Sequence, residues 1–205
     1  MTQKKKVGRP RSFDVDAALV AATHVFWEKG YDGASMKDLT EAMGINSPSL
    51  YSVFGDKKSL YIKAIERYLA NDSCAPMDAF ESEDNIEKAV RAFMEAVLEY
   101  ATQQPEGLRG CFMANCVSTT VGTVGGTKEL LQEAILSADE RLAARFDVEK
   151  EKGHLPENFP SKERARLMFD LRQGLVLRAR AGISRESMEA DLDIRVCLIL
   201  QTVAS

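Results

Sequence analysis

Apolar residues recur along most of the chain at the spacing of three to four residues that is typical of amphipathic α-helices. The first such stretch runs from about Val15 to Lys29, with Asp14 placed to cap the helix and Gly30 placed to end it. Strict alternation of apolar and polar residues, which is typical of half-buried strands, is nearly absent. The pattern therefore predicts an all-α protein of about nine helices.

Two short helices separated by a glycine turn are predicted over about residues 35–54. Ser35 and Asp38 form a Ser-x-x-Asp capping box at the start of the first helix. Gly44 ends that helix, because glycine adopts a left-handed turn without steric cost. We expect Ser47 to cap the second helix, with a proline in its first position. This is the layout of a helix-turn-helix, in which the second helix enters the major groove of DNA.

Longer helices are predicted in the rest of the chain. One follows the helix-turn-helix over about 57–70, and the proline-containing segment 71–84 is interpreted as a linker or bent connection. Further helices are predicted over about 85–103, 111–120, 128–152, 161–181 and 185–203.

Charge divides the chain into two unlike parts. The whole chain has 27 Lys and Arg against 31 Asp and Glu, a net charge of −4, which by itself argues against a nucleic-acid partner. Residues 1–70 hold eleven basic and eight acidic side chains, however, so they carry +3 and the remainder carries −7. We therefore predict a basic disordered tail at 1–12, a DNA-binding domain at 13–70 and a larger C-terminal regulatory and dimerisation domain at 71–205.

Composition argues against membrane, secreted and zinc-binding proteins. No stretch approaches the ~18 consecutive apolar residues of a spanning helix, and residues 1–6 lead into Gly-Arg-Pro-Arg rather than the apolar segment of a secretory signal. The four cysteines form no CxxC pair or Cys/His cluster. We expect a cytoplasmic protein with reduced thiols and no metal or cofactor.

Catalytic motifs are also missing from the sequence. The two histidines, His24 and His154, are far apart, and no nucleophile elbow, P-loop or HExxH sequence occurs. No strand precedes the glycine-rich run at 122–127, which favours a flexible link between helices over a phosphate-binding loop. We therefore expect a protein that is not an enzyme.

Three stretches in the first third of the chain form a specific signature. They are ASMKDL at 34–39, GINSPSLYSVF at 44–54 and DKKSL at 56–60, preceded by FWEKGY at 26–31. Together they resemble the TetR family of bacterial transcriptional regulators. The resemblance implies a homodimer whose N-terminal domains bind a palindromic operator and whose C-terminal domains usually bind a small molecule.

The resemblance also implies which side chains contact DNA. By position they are Ser35, Lys37, Thr40, Ser47, Ser49, Tyr51 and Lys58, to which Ser52 and Lys57 are added from the predicted helices. Lysines neutralise phosphates and hydroxyls fix the register on the duplex. Val53 departs from the family, in which histidine or tyrosine is common at this position. A phosphate or base contact from this position is therefore not expected, and Tyr51 would supply more of the DNA contact. The second helix has no Arg or Lys, so it lacks bidentate recognition of guanine.

The basic tail suggests a second DNA contact. The sequence Gly-Arg-Pro-Arg at 8–11 resembles the core of an AT-hook, in which Arg9 and Arg11 would enter a narrow minor groove. A solvated tail with only diffuse attraction to DNA agrees with the sequence equally well.

A small-molecule pocket is expected in the C-terminal domain, where GCFMAN at 110–115 resembles a segment of some family members. The candidate lining residues are Phe93, Met94, Val97, Phe112, Met113, Asn115, Cys116, Met168 and Phe169. Ordinary core packing is the alternative, and for any single residue it is the favoured one. Cys111 and Cys116 suggest redox sensing, but five residues along a helix place them ~140° apart, which favours inert buried thiols.

Apolar stripes on the last two predicted helices suggest a dimer interface built as a four-helix bundle. The stripes are Met168, Leu171, Leu175 and Ala179, and Leu192, Val196, Ile199 and Val203. Burial within one chain is the alternative.

These observations predict a DNA-binding transcriptional regulator, specifically a repressor that a small-molecule ligand releases from a palindromic operator. Ligand binding would shift the helix at 57–70 and change the distance between the two reading heads. A ligand-independent regulator or activator, and a cysteine-based redox or electrophile sensor, remain as alternatives.

Overall fold

The computed structural model describes residues 13–72, 75–103 and 109–201. These ranges contain nine α-helices of eight or more residues, two shorter helices and no strand. The helices are α1 (Val15–Gly33), α2 (Met36–Met43), α3 (Ser47–Phe54), α4 (Lys57–Arg67), α5 (Ala75–Ser82), α6 (Ile86–Thr102), α7 (Phe112–Asn115), α8 (Thr127–Glu151), α9 (Ser161–Arg180), α10 (Arg185–Glu189) and α11 (Leu192–Leu200). A π-helical turn, Tyr68–Asp72, continues α4, and a 3₁₀ turn, Val117–Thr120, follows α7. None of the helices described is long and apolar enough to cross a membrane.

Each of the N-terminal helices α1 to α4 begins at a residue whose side chain caps it, and α1 and α2 do so where the sequence predicts. Asp14 accepts hydrogen bonds from two backbone amides in the first turn of α1. At Gly30 the backbone φ is +72°, so α1 kinks where its end was predicted and then continues to Gly33. The capping box of α2 is confirmed: Ser35 Oγ accepts from the Asp38 amide at 3.1 Å, and the Asp38 carboxylate accepts from the Ser35 amide at 2.9 Å.

The predicted cap of α3 is wrong by one residue. Asn46 is the cap, because its Oδ1 accepts a hydrogen bond from the Ser49 amide at 2.9 Å. Ser47 instead occupies the first helical position, immediately before Pro48. Asparagine and serine are both strong capping residues, so their adjacent positions left the choice to the three-dimensional geometry.

Helix α5 corrects the interpretation of residues 71–84 as a linker or bent connection. Residues Ala75–Ser82 are helical, and Pro76 stands in the first turn, where a missing N–H costs nothing. Phe80 is fully buried, with its ring centre 6.1 Å from that of Phe93 on α6 and 5.7 Å from that of Phe146 on α8. Burial against these longer helices therefore stabilises a segment whose own periodicity is weak.

Two other predicted helices are divided in the structure. The segment 111–120 forms α7 and the 3₁₀ turn, separated at Cys116, whose φ of −120° and ψ of −56° are not helical. The segment 185–203 forms α10 and α11 with a bend at Asp191. Both α10 and α11 pack against α6, and Met188 and Leu192, on either side of the bend, are both buried.

The apolar stripes predicted as a dimer interface lie mainly in the core of a single protomer. Buried members are Met168, Leu175, Ala179, Leu192, Val196 and Ile199, while Leu171 is half-buried and Val203 lies outside the described residues. The reason is that α9 packs against α6, α8 and α11 of its own chain. Side chains covered within one protomer cannot supply a contact surface, so the assignment of these six buried residues to a dimer interface is corrected.

Candidate DNA interface and ligand cavity

Helix α3 is held on the N-terminal bundle by Leu50 and Phe54, which are both buried. Its opposite face exposes hydroxyl groups: Tyr51 is 55% exposed, and Ser47 and Ser52 are exposed. Ser49 is half-buried beside the Asn46 cap. The exposed face of α3 is therefore polar and uncharged, and it presents hydroxyl donors and one aromatic ring.

The hydroxyls of α2 already have partners within the domain. Ser35 Oγ lies 2.6 Å from the Asp38 carboxylate, and Thr40 Oγ1 donates to the Met36 carbonyl at 3.0 Å. Hydrogen bonds from Lys29 and then Ser35 hold the pKa of Asp38 well below its usual range. Because a phosphate oxygen needs a donor, Ser35 and Thr40 would have to redirect these protons to contact DNA.

The lysines predicted to contact DNA have different surroundings. Lys37 is exposed, 3.7 Å from the Glu41 carboxylate on the same helix. Lys57 is half-buried, with its ammonium 4.7 Å from the centre of the Tyr31 ring. Lys58 is exposed at the start of α4. Its ammonium lies close to Gly125, in the turn that precedes α8.

Lys63 is a further cation near the recognition helix that sequence reasoning missed. It is exposed on α4 and donates to the Val53 carbonyl at the end of α3 at 3.2 Å. Ten residues separate the two in sequence, and only the packing of α4 against α3 brings them together. The predicted contacts Arg9 and Arg11, with the whole basic tail, lie outside the described residues.

A cavity of about 90 Å³ lies among α5, α6, α7, α8 and α9. Of the predicted pocket residues, Phe93, Met113 and Phe169 line it. The other predicted residues do not line the cavity. Four of them are buried in the surrounding core, namely Met94, Val97, Phe112 and Met168. Asn115 donates to the Arg109 carbonyl at 3.0 Å, and Cys116 faces α1 and α4. This cavity is predominantly apolar, as small-molecule sites usually are.

Three polar groups of the cavity wall were missed by the sequence analysis, namely Cys111, Arg172 and Gln173. A signal for Arg172 existed, because it follows Phe169 by three residues on α9 and so lies on the same helix face. A signal for Cys111 existed as well, because it belongs to the GCFMAN segment at 110–115 and directly precedes the predicted pocket residues Phe112 and Met113.

The two cysteines at α7 are buried separately and are not paired with each other. Burial raises the pKa of the Cys111 thiol, but the charge of Arg172 and a hydrogen bond from Tyr68 outweigh it, so the pKa lies below its usual value. Burial raises the pKa of Cys116 above its usual value despite a hydrogen bond from Tyr61. Cys111 is thus the more acidic thiol of the two, a difference that the expectation of inert buried thiols did not include.

Aromatic side chains join the DNA-binding helices to α7. Tyr61 on α4 lies 3.3 Å from Cys116 Sγ, and Tyr68 in the π-helical turn lies 3.3 Å from Cys111 Sγ. The Phe112 ring packs edge-on against both tyrosines, with centroid distances of 6.0 Å and 5.4 Å. One continuous face of α4 and its π-helical extension therefore contacts α7.

Acidic, histidine and cysteine side chains do not assemble into a metal site anywhere in the three described ranges.

Comparison with known proteins agrees with this arrangement. The model of "Bacterial regulatory proteins, tetR family" matches residues 18–64, and that of "Tetracyclin repressor-like, C-terminal domain" matches residues 87–193. The HTH-type transcriptional repressor ComR of Escherichia coli (strain K12) is 30% identical over 186 residues, which are 90% of this chain and 88% of ComR. The HTH-type transcriptional repressor BdcR of the same strain is 33% identical over 112 residues, 54% of this chain and 56% of BdcR.

A solved structure extends the similarity to three dimensions. A cysteine mutant of the TetR family transcriptional regulator CifR, complexed with 26-bp double-strand operator DNA, has 29% identity and a TM-score of 0.83. The match covers 92% of this chain and 98% of the CifR chain. The helix-turn-helix, the two matching family models and the nearly full-length relatives lead to one conclusion: this chain belongs to the TetR family of DNA-binding transcriptional regulators.

Proposed function

We propose that this regulator is a repressor that leaves its operator when a small molecule occupies the cavity among α5 to α9. The observation that carries the proposal is the position of α4. At its N-terminal end α4 follows α3 directly and packs against it. At the other end, Leu69 in the π-helical extension of α4 lines the cavity. A ligand that displaces the cavity wall would therefore act on the same continuous segment that supports the recognition helix.

Release requires that the ligand prefer one arrangement of α4 over another, since equal affinity for both would shift nothing. The π-helical turn supports such a preference. π-Helical turns are rare in proteins as a whole, and those that occur are often found at functional sites. It begins at Tyr68, which contacts Cys111 in the cavity wall. We infer that this turn is where a change in the cavity alters the course of α4.

The proposed DNA contacts combine the exposed face of α3 with cations around it. They are Ser35, Lys37, Thr40, Ser47, Ser49, Tyr51, Ser52, Lys57 and Lys58, with Arg9 and Arg11 of the tail. Exposure supports Lys37, Tyr51 and Lys58 most directly. Lys57 is supported less, because its ammonium already faces Tyr31.

We further propose a homodimer formed by exposed apolar residues of α9 and α11. Leu177 is 67% exposed, Ile194 is 63% exposed and Leu198 is 45% exposed, although all three are large and apolar. Ile194 and Leu198 are four residues apart on α11, which packs against α9. A two-fold dimer would place two recognition helices on half-sites ~34–36 Å apart.

The domain limits proposed for this function are a tail at 1–12, a DNA-binding domain at 13–70 and a regulatory domain at 71–205. The two family models support a boundary between 64 and 87.

Selection of bound sequences from a random DNA duplex pool tests the function. We expect a palindromic site with half-sites about one helical turn apart, bound with a steep dependence on salt. Transcription from a promoter carrying the selected site should fall when the protein is present, and a small molecule should restore it. Activation of that promoter would contradict repression, and failure of a broad metabolite screen to release the protein would contradict control by a ligand.

A further inference from the structure

Arg172 brings a positive charge to the cavity that no described carboxylate neutralises. Its guanidinium donates to Gln173 Oε1 at 3.3 Å and approaches Cys111 Sγ at 3.7 Å, and it lies 5.4 Å from the centre of the Phe169 ring. Within residues 13–72, 75–103 and 109–201, no carboxylate oxygen of an Asp or Glu lies within 4.0 Å of an Arg172 nitrogen. The charge is therefore held by neutral and weakly polar groups.

The rest of the cavity wall is unsuited to a lone cation. Its apolar members include Phe93, Met113, Leu131, Ile135, Leu142 and Phe169. An unpaired charge beside such a surface is unfavourable, and an anion that enters the cavity relieves this cost. A guanidinium is planar and donates two parallel hydrogen bonds, a geometry that matches a carboxylate.

The surroundings of Cys111 show how Arg172 and a neighbouring hydroxyl favour negative charge at this end of the cavity. Its thiol is buried, which raises its pKa, yet the pKa lies below the usual value because Arg172 and the Tyr68 hydroxyl stabilise the thiolate. Tyr68 accepts a hydrogen bond from Tyr100 at 2.8 Å, so its own proton is free to point towards the sulfur. Two donors thus converge on one point in the cavity wall.

We propose that the effector is a small carboxylic acid whose carboxylate pairs with Arg172 and whose hydrocarbon tail lies among Phe93, Met113 and Leu131. This inference rests on the proposed release of the protein by a ligand in the same cavity. The cavity of about 90 Å³ is smaller than the ~150 Å³ that holds benzene in an engineered protein core. Because benzene has six non-hydrogen atoms, the size favours acids of at most about four carbon atoms, such as propionate and butyrate.

The carboxylate would also act on α4. It competes with the Cys111 sulfur for Arg172, and Cys111 is the partner of Tyr68 at the start of the π-helical turn. Binding of the acid therefore changes the interactions of the segment that continues α4.

Calorimetric titration of the full-length protein tests the proposal with straight-chain carboxylates from acetate to octanoate, each matched with the primary alcohol of equal length. We expect propionate and butyrate to bind, the longer acids to bind more weakly, and the alcohols to bind at least tenfold more weakly than the acids of equal length. Arg172→Gln should weaken binding of the acids at least tenfold. Arg178→Gln is the matched control, since Arg178 is exposed on the same helix and does not line the cavity.

Equal binding of acids and alcohols, unchanged binding to Arg172→Gln, or no binding of any acid would overturn the proposal. Operator release by alkylation of Cys111 with N-ethylmaleimide, without any response to acids, would overturn it as well. Operator titrations with and without butyrate separate the two proposals. If the acid binds in an Arg172-dependent way but leaves operator affinity unchanged, the acid site is supported and ligand release is contradicted. If only uncharged compounds release the operator, ligand release is supported and the acid site is contradicted.

Discussion

The hydroxyl of Tyr61 on α4 lies 3.3 Å from the sulfur of Cys116, at the junction of the DNA-binding and regulatory helices. Cys116 in turn donates to the Phe26 carbonyl on α1 at 3.2 Å. Because the thiol hydrogen points to Phe26, the Tyr61 hydroxyl is the donor to the sulfur. A hydrogen-bonded chain in a buried environment therefore joins α4, the end of α7 and α1.

Removal of this hydroxyl should weaken the junction without creating a large cavity. We expect Tyr61→Phe to lower the free energy of unfolding by about 1 kcal/mol, because one buried hydrogen bond is lost. Denaturant unfolding followed by circular dichroism measures the change. Tyr51→Phe is the control, because the Tyr51 side chain is exposed on α3; it should leave stability unchanged and lower operator affinity. Equal stability of Tyr61→Phe and wild type would contradict a contribution from the bond.

The cap of α3 can be tested by two neighbouring substitutions. Asn46→Ala should lower the free energy of unfolding by about 1 kcal/mol, since the Ser49 amide loses its acceptor. Ser47→Ala should change it by less than about 0.5 kcal/mol, because Ser47 is an exposed first-turn residue. Thermal unfolding of both variants measures the difference, and the opposite ranking would show that Ser47 is the cap.

Lys58 is expected to contribute charge rather than base recognition. Lys58→Ala should weaken binding by about the same factor on every DNA sequence and reduce the slope of log K against log salt by about one unit. Fluorescence anisotropy at several salt concentrations gives the slope. Lys88→Ala on α6 removes the same charge from the regulatory domain and should leave the slope unchanged. A loss confined to certain sequences would indicate that Lys58 contacts bases.

The proposed dimer surface predicts a change in oligomeric state. Leu177→Asp together with Ile194→Asp should give a folded monomer, because both side chains are exposed and the charge would face its own copy across the two-fold axis. Sedimentation velocity measures the mass, and circular dichroism checks the helical content. Leu136→Asp is the control, since Leu136 is 52% exposed but lies on α8. A double variant that remains dimeric would place the interface elsewhere.

Glu149 should make the regulatory domain sensitive to acid. Its carboxylate is buried and accepts from Arg145, from Lys152 at 3.0 Å and from His154 Nδ1 at 2.7 Å. Burial raises the pKa of Glu149, but these hydrogen bonds outweigh it and lower the pKa from 4.5 to about 2.

Since the pKa is lower in the folded state, the stabilisation is complete above about pH 4.5 and is lost as the pH falls towards about 2. Glu149→Gln should lower the free energy of unfolding at pH 7 by about 3 kcal/mol, because the half-buried Arg145 loses its counter-charge. It should also flatten the acid limb of the stability curve. Glu151→Gln, at an exposed neighbouring position, should do neither.

The α2 cap, the glycine exit of that helix and the long helices α6, α8 and α9 were all predictable, because short-range capping and strong periodicity determine them. The helix α5 was not predictable, because it is stabilised by burial of Phe80 against residues distant in sequence. The bend at Asp191 follows in the same way from packing on α6.

The residues of the candidate sites also differ in whether the sequence could predict them. Tyr51 and Lys58 could be proposed from the sequence, because the resemblance to the TetR family implied them by position and both lie in locally determined helices. Arg172 and Cys111 could not be placed together, because 61 residues separate them and only the packing of α9 beside α7 makes them neighbours.

By itself the sequence determined that this protein is helical, that it carries a helix-turn-helix, and that its positive charge is concentrated beside that motif. These properties depend on neighbours within about one helical turn, so the order of residues is sufficient to specify them. The tertiary structure alone decided which apolar stripe is core, which apolar residues stay exposed for a partner, and which polar groups enter the cavity. Those properties depend on which helices pack together, and burial is fixed only when the whole chain has folded.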